Sequence, residues 1–354
     1  MCEYSSYLKQ IYPQGARFDA LLPKPSYRNC YDLSRYGLAC MGEIGEGALS
    51  TVYMVKDCDN QIYACKLTSL KHINGGPCAP SFVAEQALQE IHLMLKLRQK
   101  GVYGIMPLYA FHPSETVIKG YAYAYRLLPR LLIPESSIII ELLPLAVPFR
   151  TFMEELFRSR KRLTVKQACA VFLDILSPLE HMHGKAKIIH RDIKIDNLML
   201  IKLPDGSIRV AISDFNISRE FIDTSVSEYT PMGTPGYYNP RIKEKALNQE
   251  RVTRAEAEKQ DLYAAAQCIY ILLNRGVIAP NNGNIPVPKD SPSHEFTELL
   301  RSILNPNISK IPSCSTIQKR LKGLMKQEHS QKRTVQSSHK NFISHKPNYQ
   351  KRFF

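Results

Sequence analysis

Ile188-Ile189-His190-Arg191-Asp192-Ile193-Lys194-Ile195-Asp196-Asn197 is the stretch whose reading decides the fold. Two apolar residues lead into a segment that spaces an acid, a lysine and an amide along one short loop. Past a turn signalled by Pro204-Asp205-Gly206 comes a second acid, in Ser213-Asp214-Phe215-Asn216. Carboxylate and amide oxygens are hard ligands for a divalent cation, and an ammonium group counters phosphate charge. The set is an inventory for handling a metal-bound polyphosphate.

Four further pieces lie in order around it. Upstream, Ile44-Gly45-Glu46-Gly47-Ala48-Leu49-Ser50-Thr51-Val52-Tyr53 falls where two strands meet, and its glycines let backbone N–H groups approach phosphate oxygens. Next, Ile62-Tyr63-Ala64-Cys65-Lys66 ends an apolar strand on a lysine. Residues 81–97 then show the 3–4 spacing of an amphipathic helix with Ser81 as its N-cap. Downstream stands Gly233-Thr234-Pro235-Gly236-Tyr237. Each piece has an ordinary reading alone, because tight hairpins carry Gly-x-Gly and an edge lysine is usually a solvated charge. Together they resemble the eukaryotic-type protein kinases, of the Ser/Thr branch, over residues 37–323.

That resemblance implies an α+β fold of two lobes, a β-rich N-lobe over 37–143 and a helical C-lobe over 144–323. It implies ATP and Mg²⁺ in the cleft between the lobes, with the γ-phosphoryl group passing to a Ser or Thr hydroxyl of a protein substrate. Asp192 would orient the accepting hydroxyl, and Lys194 would neutralise charge on the migrating group. Thr234 marks the Ser/Thr branch, and Asn197 and Asp214 would hold the metal. Lys66 would grip the α- and β-phosphates, paired with Glu90; Glu85 is a rival partner, although Glu90 fits the family pattern of Glu90-Ile91-x-x-Met94 better. Ile44, Gly45, Gly47 and Ser50 would frame the phosphates. Val52 and Ala64 would cap the adenine, Met199 would lie beneath it, and backbone groups of Glu141 and Leu143 would read the purine edge. His190 reads as packed under Phe215 rather than titrating, and Asp261 as the buried acid that anchors the loop backbone.

Three departures from the family pattern stand out. Ser50 and Asn216 occupy positions where the family has glycine, and asparagine is the residue after glycine most tolerant of a positive φ. Asn239-Pro240-Arg241 replaces Ala-Pro-Glu, while Ile311 stands where the partnering arginine would fall. Losing both members of a buried pair can be nearly neutral, whereas losing one costs about 3–5 kcal/mol. Finally, residues 277–294 are Asn- and Pro-rich where a further helix is usual. These departures support an alternative, a pseudokinase acting as a nucleotide-binding or scaffolding module.

Size and composition fit one two-lobed domain with flanks. The chain has 354 residues, 44% of them hydrophobic, enough for a large core. Nine of the fifteen net positive charges lie between Lys319 and Phe354, where Glu328 is the only acid. Residues 324–354 therefore read as a disordered basic tail, able to meet an acidic partner or nucleic acid but lacking any reading motif. The nine cysteines are scattered without a Cys-x-x-Cys pair, which predicts a reducing, cytoplasmic setting. No run reaches the roughly 18 apolar residues of a membrane span. Residues 1–36 read as a loosely structured extension. Two features stay open: the aromatic insertion at 112–136, and the hydroxyls of Thr224, Ser225, Ser227, Tyr229 and Thr230, of which Thr230 or Ser227 would be a phosphorylation switch near Arg191. The remaining helices are expected at Phe149–Ser159, Val165–His183, Lys259–Asn274 and His294–Leu304.

Overall fold

A computed structural model describes residues 11–12, 16–27, 30–47, 49–69, 80–112, 138–221, 227–228 and 233–327. Strands β1 (Ala39–Glu46), β2 (Thr51–Lys56) and β3 (Ile62–Ser69) form an antiparallel meander. With β4 (Ala110–His112) and β5 (Ile138–Pro144) they make one five-stranded sheet of order β1-β2-β3-β5-β4. The period of two sorts its side chains onto two faces. Tyr53, Val55, Cys65, Leu67, Ile138 and Ile140 close a small core with Leu33 on one face. Ala64, Lys66 and Glu141 therefore share the other. Against that face packs the first long helix, α2 (Pro80–Gln99), which buries Val83, Ala87, Leu88, Ile91 and Met94. Proline is favoured at the first helical position because its missing N–H has no partner there anyway. The helix thus starts one residue before Ser81, which lies inside the first turn instead of capping it.

Among its described residues, the extension ahead of β1 has structure that its weak periodicity does not disclose. It carries α1 (Ala16–Leu21), and Tyr12 and Phe18 are buried in the main core, with the Tyr12 ring edge-on to Phe152 at 5.4 Å. Between the lobes, Ile105 bridges Ile212, and Met106 N–H donates to the Ile212 carbonyl at 2.8 Å. Gly104 makes this crossing feasible. Its φ is +82°, a conformation that favours glycine, and a Cβ there would lie 3.0 Å from the Pro178 ring, tighter than most such contacts.

The second lobe begins with β6 (Ala146–Pro148) and α3 (Phe149–Arg158), then α4 (Val165–His181), which Thr164 and Gln167 open with a reciprocal capping box. β7 (Ile188–Ile189) leads into the acid-bearing loop. β8 (Leu198–Lys202) and β9 (Ile208–Ile212) form the hairpin that Asp205-Gly206 turns. β10 (Arg219–Glu220) pairs with β7, and β11 (Ser227–Glu228) pairs with β12 (Arg251–Val252). Between those last two runs α5 (Pro240–Leu247), a helix absent from the sequence expectation.

At the centre stands α6 (Arg254–Leu273), capped by a Thr253–Glu256 box and buried on nearly all sides from Ala257 to Leu273. α7 (His294–Ile303) and a helix at 314–327 complete the lobe. No helix forms between Leu273 and His294, as the Asn/Pro content predicts. Polar side chains satisfy that segment instead. Gln267 receives Ala279 N–H at 3.1 Å, Tyr263 Oη donates to Asn281 at 3.1 Å, and Arg301 donates to the Ile285 carbonyl at 2.8 Å. No described helix is long and apolar enough to cross a membrane. The 112–136 insertion beyond His112, the basic tail beyond Gln327, and the side chains of the proposed switch hydroxyls lie outside the described residues.

Candidate active site

The acid-bearing loop is held from below by one side chain. Asp261, buried on α6, accepts the backbone N–H groups of His190 and Arg191, each at 2.9 Å, and His183 Nε2 at 2.9 Å. Burial alone would raise its pKa, but these hydrogen bonds, His183 foremost, outweigh it and lower the value. The anchor matters because Arg191 sits at φ +75°, a conformation costly for a side chain of its size. His190 is fully buried, its ring 5.0 Å from that of Phe215. Its Nδ1 lies 3.3 Å from Asp192 N–H and its Nε2 lies 3.1 Å from the Ser213 carbonyl. Both ring nitrogens therefore have a polar partner. His190 is packed against Phe215, as the sequence suggests.

Above the anchor the polar groups converge on Asp192. Lys194 Nζ donates to Oδ2 at 2.6 Å, Thr234 Oγ1 donates to Oδ1 at 2.9 Å, and Lys194 also reaches Thr234 Oγ1 at 3.0 Å. The Asn197 amide nitrogen donates to the Asp192 carbonyl at 2.8 Å and to Oδ2 at 3.1 Å. That leaves the Asn197 carbonyl oxygen free of this network. Asp214 follows at φ +68°, and its Oδ1 is buried with no hydrogen-bond partner among the described residues. An orphaned carboxylate oxygen and a spare amide oxygen are the donor chemistry a magnesium ion takes. No cluster of three or more His, Cys, Asp or Glu side chains that could hold a metal occurs among the described residues. Asp214 and Asn197 would therefore share a cation with substrate phosphates and water, the usual arrangement for Mg²⁺. Asn216 does not take a positive φ; Asp214 does, so the exchange of glycine for asparagine meets no strain.

The N-lobe supplies the second half. Lys66 forms an ion pair and hydrogen bond with Glu90, whose other oxygen accepts Phe215 N–H at 3.1 Å. Glu90 is thus the partner, as its place in the motif suggests. α2 grips the segment after Asp214 at two more points, through Gln89 Nε2 to the Ser218 carbonyl at 2.7 Å and a Lys96–Glu220 ion pair. In the glycine loop, Gly47 N–H donates to the Ser50 carbonyl at 2.8 Å. Gly45 pairs with Val52, Val52 with Lys66, and Ala64 with Leu143, so the residues expected to frame a nucleotide lie on consecutive strands. Ile44, Ser50, Val52, Leu143 and Met199 are half-buried, and Ala64 is buried.

Glu141 brings its side chain into the cleft as well as its backbone. A backbone contribution is all its motif suggests, yet its carboxylate enters the cleft face beside Lys66, with Oε1 3.6 Å from Nζ. It is 1% exposed. Burial, followed by the negative charge of Glu90, pushes its pKa up to about 8 despite Lys66. For Lys66, burial disfavours the charge, but Glu141, Glu90 and Asp214 outweigh it and raise the pKa.

Away from the cleft, Arg241 finds a new acid, as its exchange requires. It is 46% exposed and pairs with Glu244 at 2.7 Å and Glu250 at 3.9 Å. Ile311 is buried in the main core, where the missing arginine would have stood. Both members of that pair are replaced without leaving a stranded charge.

The family model described as "Protein kinase domain" matches residues 38–346. The chain is 34% identical over 158 residues to the serine/threonine-protein kinase Nek8 of Danio rerio, covering 41% of this chain and 21% of that protein. It is 30% identical over 116 residues to the serine/threonine-protein kinase KIN4 of Saccharomyces cerevisiae, covering 32% and 13%. A longer alignment, 23% identical over 302 residues, relates it to the probable serine/threonine-protein kinase roco5 of Dictyostelium discoideum, covering 84% and 9%. The aligned parts are thus about a fifth of the length of Nek8 and smaller fractions of the other two.

Proposed function

The chain belongs to the protein kinase family, and on that premise we propose that it is a Ser/Thr protein kinase that uses ATP and Mg²⁺. The observation that carries the reading is the arrangement around Asp192. Lys194, Thr234 and Asn197 all donate to this one residue, while Lys66 is already paired with Glu90. A module that only bound nucleotide would need Lys66 and Asp214. It would place no requirement on Lys194 and Thr234.

The roles follow from position. Asp192 orients the hydroxyl of a protein substrate and takes up its proton; phosphoryl transfer through a loose transition state needs alignment more than a strong base. Lys194 counters charge on the group in transit, an effect on the scale of one oxyanion donor, about 3–4 kcal/mol. Thr234 holds Asp192 in register. Lys66 positions the α- and β-phosphates, with Glu90 fixing its ammonium. A magnesium ion held by Asn197 and Asp214 would neutralise phosphate charge. Ile44, Gly45, Gly47, Ser50, Val52, Ala64, Leu143 and Met199 would enclose the nucleotide.

Incubation of the full chain with labelled ATP, Mg²⁺ and a generic basic substrate tests the proposal. Wild type is expected to transfer label, and Asp192→Ala is not. Nucleotide binding without any transfer by wild type would establish the pseudokinase alternative, which the exchanged glycine positions and the helix-free 274–293 segment favour.

A further inference from the structure

Among the described residues, Glu141 is a buried acid of the cleft that the transfer chemistry leaves without a task. Neither of its carboxylate oxygens has a hydrogen-bond partner among the described residues. The nearest cation, Lys66, donates its hydrogen bond to Glu90 instead. Leaving a carboxylate buried and without donors is unfavourable. An apolar side chain would suit this strand better, since Ile138, Ile139 and Ile140 precede it and all are buried. A group that costs the free protein stability yet faces the ligand cleft points to a ligand that brings the missing donor.

The strand register says which part of the ligand meets it. Glu141 lies opposite Lys66, and two residues on, Leu143 lies opposite Ala64. With Lys66 expected to face the phosphates and Ala64 to cap the base, Glu141 would stand at the inner edge of the base, on the same face of the sheet as both. We propose that Glu141 is a specificity-determining residue whose side chain accepts a hydrogen bond from the exocyclic 6-amino group of adenine. The assignment rests on the nucleotide reading of the cleft. Either ionisation state serves, because the carboxylate and the carbonyl oxygen of the neutral acid both accept.

A site built around a buried acceptor discriminates strongly. An analogue lacking the donor leaves that acceptor unpaired, whereas an apolar wall reads neither ligand. The comparison is ATP against purine riboside triphosphate, which carries hydrogen in place of the 6-amino group. Dissociation constants of both Mg²⁺ complexes are measured on the full chain by calorimetry for wild type, Glu141→Gln and Glu141→Leu. Wild type is expected to prefer ATP by about 10- to 100-fold. Glu141→Gln keeps an acceptor oxygen and should retain part of that preference, and Glu141→Leu should bind the two within about threefold.

An unchanged preference in Glu141→Leu overturns the assignment while leaving the kinase reading intact. If wild type binds neither nucleotide, both fall together. The leucine removes a buried acid that makes no hydrogen bond and only a 3.6 Å ion pair, so its thermal midpoint should equal or exceed that of wild type. Glu141→Met carries the same test should the leucine variant fail to fold.

Discussion

Replacing Asp261 by asparagine separates the anchoring of the catalytic loop from its chemistry. The carboxylate holds three donors at 2.9 Å: His190 N–H, Arg191 N–H and His183 Nε2. An amide of the same shape offers one acceptor oxygen and turns an NH₂ toward at least one of those donors. Hydrogen bonds to a charged group contribute about 1.5–3 kcal/mol each against about 1 for neutral ones, and a buried N–H left unpaired costs about 1–3 kcal/mol. Together the loss is about 3–5 kcal/mol, a large part of the roughly 5–15 kcal/mol by which domains are stable. Arg191, held at φ +75° by this anchor, would relax and carry Asp192 out of line with Lys194 and Thr234. Misplacement of about 1 Å reduces transfer about 100-fold. The chain has no tryptophan, so urea unfolding is followed by far-ultraviolet circular dichroism, alongside phosphate transfer. The pH dependence has a definite sign. The pKa of Asp261 is lowered in the folded state, so its contribution is present above about pH 3.8 and is lost as pH falls below that. Asp261→Asn should lack this acid-side loss. A variant within about 0.5 kcal/mol of wild type, with transfer within twofold, would refute the anchoring argument.

Asp192→Asn and Asp214→Asn should each reduce transfer at least about 1,000-fold, and Lys194→Ala about 100- to 1,000-fold; single-turnover assays with labelled ATP check this, and Asp192→Asn should still bind nucleotide. Because the folded-state pKa of Glu141 is raised from 4.5 to about 8, wild-type stability should decline as pH rises through that window and level off above it. Thermal unfolding of Glu141→Leu should show a smaller decline. Ile311→Arg should destabilise by at least about 3 kcal/mol, since it buries a charge with no acid opposite, and Arg241→Glu should recover part of that loss in the double variant. Equal urea midpoints for the single and double arginine variants would show that the two positions do not face each other.

Much of this site was legible because its residues are clustered in sequence. Asp192, Lys194 and Asn197 share one loop, so their convergence needs little of the fold. What escaped depends on the third dimension or on weak periodicity. The run Ile138-Ile139-Ile140-Glu141-Leu142-Leu143 is nearly all apolar, and a continuous apolar strand does not disclose which face each residue takes. Pairing with β3 settles that, and places the Glu141 carboxylate beside Lys66. α5 escaped because Pro240–Leu247 is rich in charge and buries only Ile242 and Ala246. Its readable signal was Asn239-Pro240, an N-cap ahead of a proline at the first helical position. Asn239 does accept Arg241 N–H at 3.0 Å. Tyr12 and Phe18 are isolated aromatic anchors in a segment without a repeat, and no spacing rule identifies such contacts.

The contacts of α2 determine which parts of the cleft move together. Glu90 touches both Lys66 and the backbone of Phe215, the residue after Asp214. Gln89 and Lys96 hold Ser218 and Glu220 farther along the same segment. A shift of α2 away from the sheet would therefore release the lysine expected to grip phosphate and loosen the acid expected to hold metal in one step. These contacts join the two groups into one packed unit. Asp192 belongs to a different unit, fixed to α6 through Asp261. The N-lobe half of the cleft and the loop of Asp192 thus rest on separate anchors, α2 and α6.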